Sequence, residues 1–262
     1  MTVQDVLDVL FRLAPIELKE EWDNVGLLCG SRATRVEKAL IALDPTLQVL
    51  HEAKETGCNL VITHHPILFG SIRELSDDSP TGKALLYSAE NKISCVNLHT
   101  KLDCVSGGVN DVLAERLGLQ DVSVLFPRGK DANGDMFGYV HSGTVAPCSL
   151  LVFLDYVKRQ LGCTALRYVD GGSSVFCVAV GGGECADELH EVAAAGCDTF
   201  VTADVKYHQF LDAAALGLSL IDAGHFQTEN PVCDYLLRRL SEELPQLSVQ
   251  LSKKHSDVIC FC

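Results

Sequence analysis

Two similar α/β domains from an internal duplication, each with a mostly parallel mixed sheet flanked by helices, are what this 262-residue sequence predicts. Three observations lead there. Leu50-His51-Glu52, Gly57-Cys58 and Thr63 recur at one fixed offset as Leu189-His190-Glu191, Gly196-Cys197 and Thr202. Between these anchors the character also repeats: Asn59-Leu60-Val61-Ile62 and Asp198-Thr199-Phe200-Val201 each run a polar turn residue into a short apolar strand. Upstream, Ala39-Leu40-Ile41-Ala42-Leu43 and Val175-Phe176-Cys177-Val178-Ala179-Val180 both read as buried strands. Strands alternating with helical stretches favour parallel pairing, and self-similarity at a fixed spacing marks a duplicated unit.

The first helix spans Val3–Leu13 and gathers Val3, Val6, Leu7, Leu10 and Phe11 on one face; Leu150–Leu161 is its expected counterpart. Residues 110–117 should form a helix closed by Gly118. Asn230 reads as an N-cap with Pro231 at the first helical position, followed by the stripe Val232, Leu236, Leu237 and Leu240. Pro127-Arg128-Gly129-Lys130-Asp131 marks a seam, giving domains over 1–125 and 126–262 with a metal site expected between them. Gly181-Gly182-Gly183 reads as a strand-to-helix turn in preference to a phosphate cradle, because no Lys-Ser/Thr pair follows it. Trp22, the single tryptophan, reads as part of a turn that plugs the core; the competing reading places it on the rim of a site.

Composition narrows the function. Hydrophobic residues make up 47% of the chain, which describes a folded globule. Thirty-five acids against 21 bases give a net charge of −14, so phosphate backbones are repelled and nucleic acid is not expected as a partner. The start carries an acid where a secretory signal would carry base, and no apolar stretch approaches a membrane span, so a cytoplasmic protein is expected. The 12 cysteines include no C-x-x-C pair and are expected to be reduced and buried, with Cys260 and Cys262 in an apolar strand tail. No G-x-S-x-G nucleophile elbow occurs.

The chemistry concentrates at strand ends. Val61-Ile62-Thr63 leads into His64-His65-Pro66, Val96-Asn97-Leu98 into His99 and Asp103, and Leu220-Ile221-Asp222 into Gly224-His225 and Glu229. His99 with Asp103 and His225 with Glu229 share a His-x-x-x-acid spacing, read as corresponding positions of the two repeats. In α/β sheets functional groups collect beyond the carboxyl ends of the strands. Adjacent histidines at a strand end can serve one ion each, and Pro66 keeps His65 extended. His64, His65, Asp103, His225 and Glu229 therefore form a candidate ligand set for two divalent ions. Imidazole with carboxylate suits zinc, iron, manganese, cobalt or nickel. Five protein ligands leave positions open for water, as hydrolytic dinuclear sites require. His99 is a candidate proton shuttle or supporting group, with a structural role as the competing reading. His51, His141, His190 and His255 are read as structural.

Trp22-Asp23-Asn24-Val25-Gly26-Leu27, Thr63-His64-His65-Pro66, His99-Thr100-Lys101-Leu102-Asp103 and the segment from Gly224-His225 to Glu229 resemble the signatures of the GTP cyclohydrolase 1 type 2 homologues, also called dinuclear metal-centre hexameric proteins. The chain resembles the short form, without a long central insertion. The resemblance implies a toroidal homohexamer with a dimetal centre on His64, His65, Asp103, His225 and Glu229, and a small-molecule substrate of which GTP is the suggested case. A metal-dependent hydrolase acting on a nucleotide or related phosphorylated heterocycle is thus expected. The alternative is a non-catalytic metal-binding scaffold, metal chaperone or regulator.

Overall fold

In the computed structural model, which describes residues 1–131 and 134–262, helix α1 (Val3–Leu13) opens the chain with a capping box between Thr2 and Asp5. Strands β1 (Gly26–Cys29) and β2 (Lys38–Ala42) follow, then α2 (Leu47–Thr56), β3 (Leu60–Thr63), α3 (Pro80–Glu90), β4 (Ser94–Asn97) and α4 (His99–Cys104). Next come α5 (Val109–Arg116), β5 (Gln120–Val124), β6 (Gly129–Lys130), β7 (Met136–Phe137) and β8 (His141–Cys148). After α6 (Leu150–Leu161) lie β9 (Arg167–Val169), β10 (Val175–Glu184), α7 (Leu189–Ala194), β11 (Thr199–Ala203), α8 (Tyr207–Leu216), β12 (Ser219–Asp222) and α9 (His225–Glu229). Helix α10 (Pro231–Glu243) and strand β13 (Ser248–Leu251) complete the elements. No helix among the described residues is long and apolar enough to cross a membrane.

Packing divides the chain into two units. The first comprises Met1–Leu102 with Val232–Ser256, and the second Asp103–Pro231 with Asp257–Cys262. The division therefore falls after Leu102 and not after residue 125, and a C-terminal segment belongs to the first unit.

The first unit holds a sheet of order β1-β4-β3-β2-β13, parallel throughout except for β1, which runs antiparallel to β4. The continuous burial of β3 and β4 fits strands covered on both faces. Leu40, Val49, Leu50, Ala53, Val61 and Leu85 form much of its core. Strand β13 is tied in by a side chain from α2: the buried Glu52 carboxylate accepts from Ser252 Oγ, from Lys253 N at 2.9 Å and from Lys254 N at 3.2 Å. These bonds hold its ionisation below the usual carboxylate range despite the opposing effect of burial.

The second unit holds a sheet of order β5-β8-β10-β11-β12-β9, in which only β10-β11 and β11-β12 pair in parallel. It is thus a mixed sheet in which antiparallel pairings outnumber parallel ones. Its two faces carry separate cores, one around Val178, Val180, Val201 and Phe153, the other around Ala179, Phe200, Leu220 and Val192. This alternation along β10 and β11 is the period-two pattern of a strand covered on both sides.

The duplication is visible in topology. The run β1-β4-β3-β2 has the order and directions of β9-β12-β11-β10. It extends to detail: α2 ends on Gly57 at φ 74° with Cys58 N bonded to Ala53 O at 2.8 Å, and after α7 Gly196 sits at φ 85° with Cys197 N bonded to Val192 O at 3.3 Å. Glycine is required at both ends because the chain leaves each helix through the left-handed region.

Several local expectations change. Asn230 has helical angles (φ −53°, ψ −31°) and joins α9 to α10 as a continuing residue, not as an extended N-cap. Gly181-Gly182-Gly183 lies inside the bulged end of β10, so it is not a strand-to-helix turn. Cys260 and Cys262 are exposed beyond the last strand, with no strand around them. Trp22 does not plug the core; it is 64% exposed.

Candidate functional site

In the first unit three histidines meet beyond the carboxyl ends of β3 and β4. The His64 and His65 rings are 4.8 Å apart, and the His99 ring lies 5.6 Å from His64 and 5.7 Å from His65. Strand pairing sets this up: Thr63 faces Asn97 in the parallel register, and His99 N then donates to His64 O at 2.9 Å. His64 is fully buried.

Two of these rings are oriented by carboxylates. His65 Nδ1 lies 2.7 Å from Asp44 Oδ1, and His99 Nδ1 lies 2.7 Å from Asp23 Oδ1. Asp23 is buried and also accepts from Thr100 N at 3.2 Å and Thr100 Oγ1 at 2.6 Å. Burial raises its pKa, but the bonds from His99 and Thr100 outweigh that and leave it below the usual value. A carboxylate on Nδ1 takes the Nδ1–H and makes Nε2 the lone-pair nitrogen of the neutral ring, as in metal-ligating imidazoles.

Lys101, between His99 and Asp103 in sequence, turns into the core of the first unit. Its Nζ lies 3.7 Å from the centre of the Phe11 ring. Burial pushes its pKa down to about 7, against the opposing charges of Glu17 and Asp23.

In the second unit the same arrangement surrounds His225. Its Nδ1 lies 2.7 Å from Asp204 Oδ2, and its Nε2 lies 3.0 Å from Glu229 Oε2 one helical turn onward. With Nδ1–H given to Asp204, Nε2 and a carboxylate oxygen are both acceptors. Two acceptors this close require a cation between them, either a proton or a metal ion. The donor set therefore fits a divalent ion.

The backbone around Glu229 is shaped to admit its carboxylate. Gly183 has φ 63°, and a Cβ there would sit 2.2 Å from Glu229 Oε1; one on Gly182 would lie 3.4 Å from Glu229 Cγ. Asn110 ties this strand end to the start of the unit, accepting from Gly182 N at 2.7 Å and donating to Asp103 O at 2.9 Å. Asp103 is thereby fixed through its backbone. A pocket of about 230 Å³ opens beside His225, lined in part by Arg167, Asp204, Asp222, Gln227 and Phe261.

The geometry thus groups His64, His65 and His99 within one unit, and His225 with Glu229 within the other. It also adds Asp23, Asp44 and Asp204, which sequence reasoning missed. Asp44 and Asp204 follow the parallel strands β2 and β11, so the strand-end criterion that found the histidines would have found them too.

The matched His-x-x-x-acid spacing is not a structural correspondence. Leu98 N donates to Thr63 O, as Ala223 N does to Thr202 O. Leu98 therefore matches Ala223, and His99 matches Gly224. Both residues are left-handed, at φ 37° and 88°. The two motifs are one residue out of register, and Asp103 matches Thr228, not Glu229.

Two further histidines each make contacts within one unit. His141 is buried with Nδ1 2.7 Å from Asp111 Oδ1, and His51 lies against Tyr87 with ring centres 4.6 Å apart.

The sequence model of the Duf34/NIF3 (NGG1p interacting factor 3) family matches residues 1–258. A Clostridium perfringens protein called GTP cyclohydrolase 1 type 2 homolog is 33% identical over 245 residues, covering 93% of each chain. A Clostridium acetobutylicum protein of the same name is 34% identical over 250 residues, covering 95% of this chain and 93% of its own. The crystal structure of a Bacillus cereus protein related to NIF3 superposes with a TM-score of 0.94 at 24% identity, covering 100% of this chain and 99% of the other.

Proposed function

We propose that this chain, which belongs to the Duf34/NIF3 family, is a metal-dependent hydrolase acting on a nucleotide or related phosphorylated heterocycle. In this reading His64, His65, Asp103, His225 and Glu229 hold two divalent ions. The observation that carries it is the shared device of His65 on Asp44 and His225 on Asp204, both at 2.7 Å, which leaves the Nε2 lone pair of each ring for a metal ion. The contact of His225 Nε2 with Glu229 supports it, since that pair needs a cation.

When bound, such ions polarise the scissile group and lower the pKa of a coordinated water. The chain's own residues do the rest. Asp44 and Asp204 fix the tautomers of His65 and His225. Asp23 accepts a hydrogen bond from Nδ1–H of His99 and leaves Nε2 as the atom that accepts and returns a proton during hydrolysis. GTP is the first candidate substrate, because both Clostridium relatives carry the name GTP cyclohydrolase 1 type 2 homolog; the reaction would be hydrolytic opening of the guanine ring. A homohexamer belongs to the same reading and is checked by sizing in solution.

The test is incubation of metal-loaded protein with GTP and related nucleotides, with both ions verified by elemental analysis. Ring opening, seen as a change in ultraviolet absorption, is the expected result. Full occupancy without turnover of any nucleotide would reduce the protein to a metal-binding scaffold.

A further inference from the structure

Around His99 the first unit displays two large aromatic rings that its core does not use. Trp22 is 64% exposed and Phe69 is 63% exposed. The Trp22 ring centre lies 6.0 Å from that of His99 at an interplanar angle of 81°, and Phe69 lies 5.6 Å away at 84°. Each ring stands nearly perpendicular to the imidazole.

These positions are held by polar bonds. Asp23, next to Trp22, is locked by His99 and Thr100, and its carbonyl accepts from Lys19 Nζ at 3.0 Å. Asn24 Nδ2 donates to the carbonyls of Leu68 and Gly70, the residues on either side of Phe69. One side chain thus fastens the Phe69 turn to the Trp22 turn. Asn24 O is in turn held by Asn97 Nδ2 at 2.8 Å, at the end of β4. Exposed aromatics fixed this firmly gain nothing from core burial, and clustered exposed apolar surface marks a binding region.

The backbone at His99 gives a separate argument. The equivalent position of the second repeat is Gly224, which adopts the left-handed region without strain. The first repeat carries a histidine there at φ 37°, a conformation that disfavours a side chain with a Cβ. A side chain is retained in spite of strain, and it is the one that both aromatic rings approach.

We infer that Trp22 and Phe69 form a stacking platform that positions a planar heterocyclic base against His99. The ligand class is a purine-like base carried on a nucleotide, recognised by its π face. This deepens the hydrolase reading and rests on it for the identity of the heterocycle, but binding by stacking needs no turnover.

Trp22 is the only tryptophan, so its emission reports on this surface alone. Chelator-treated protein would be titrated with GTP and guanosine, and with tripolyphosphate as a probe lacking a base, correcting for absorption with a free tryptophan analogue. Saturable quenching by GTP and guanosine but not by tripolyphosphate is expected. Phe69→Ala should weaken GTP binding about 10-fold, within the range for loss of one base-stacking ring, while Phe69→Tyr retains it. Circular dichroism establishes that both variants fold. Equal quenching by tripolyphosphate, no quenching by GTP or guanosine, or unchanged affinity in folded Phe69→Ala would each overturn the platform. Quenching with normal Phe69 dependence but no turnover in metal-loaded protein would defeat the hydrolase reading and leave the platform standing.

Discussion

The two repeats share a run of four strands and differ in the side chains placed at their ends. After Thr63 of β3 the first repeat places His64 and His65; after the matching Thr202 of β11 the second places Ala203 and Asp204. After β4 the first repeat holds His99 at a left-handed position, where the second after β12 holds Gly224. At Lys101 the first repeat buries a cation, and the matching residue of the second is Phe226. One repeat concentrates imidazoles, and the other supplies carboxylates and the glycines that make room for one of them. Duplication preserved the backbone while the donor types separated.

Four substitutions test that division. The largest effect is expected from Glu229→Ala, which removes the carboxylate facing His225 Nε2. Metal affinity should fall by more than ~100-fold, beyond the range typical for loss of an outer-sphere partner. Elemental analysis after dialysis against buffered metal measures it; undiminished metal content would remove Glu229 from the ligand set.

Asp44→Asn and Asp204→Asn sharpen the comparison, because each carboxylate orients one imidazole in one repeat. Each should lower metal affinity about 10- to 100-fold without unfolding the protein. Similar losses would show that the repeats use the same orienting device. A loss in one alone would confine metal binding to that repeat.

The smallest effect concerns Lys101. Its folded pKa is about 7, below the unfolded lysine value, so between these the unfolded chain binds more protons. Stability must then rise with pH through this window and be lost as pH falls toward 7. Between pH 7 and 8 the gain is on the order of 1 kcal/mol relative to Lys101→Met, which lacks the titration. Urea melts of both proteins at the two pH values decide it, and parallel pH dependence would contradict the buried-cation account.

Much of this was legible in the sequence. The repeat anchors pointed to the duplication, and the left-handed Gly57 and Gly196 show the physical demand that one pair of them shares. The histidines stood out because runs such as Thr63-His64-His65-Pro66 are rare in apolar surroundings. Their carboxylate partners did not, since Asp44 and Asp204 occupy places where any turn accepts an acid. Trp22 was misread because hydrophobicity alone assigns a lone tryptophan to a core. Nothing local marks a ring held exposed by its neighbours' bonds. The false match of the His-x-x-x-acid motifs has a similar origin, for spacing within a motif carries no information about register against the neighbouring strand.

The placement of β13 bears on how the protein is made. A ribosome delivers β2 early and its parallel neighbour β13 last among the strands, after residues 103–231 of the second unit have emerged. Until then β2 is an open edge, and Glu52 lacks Ser252, Lys253 and Lys254, the residues that solvate its carboxylate. The first sheet to begin is thus among the last to close. Contacts this distant in sequence slow folding and leave a nascent chain open to wrong strand partners.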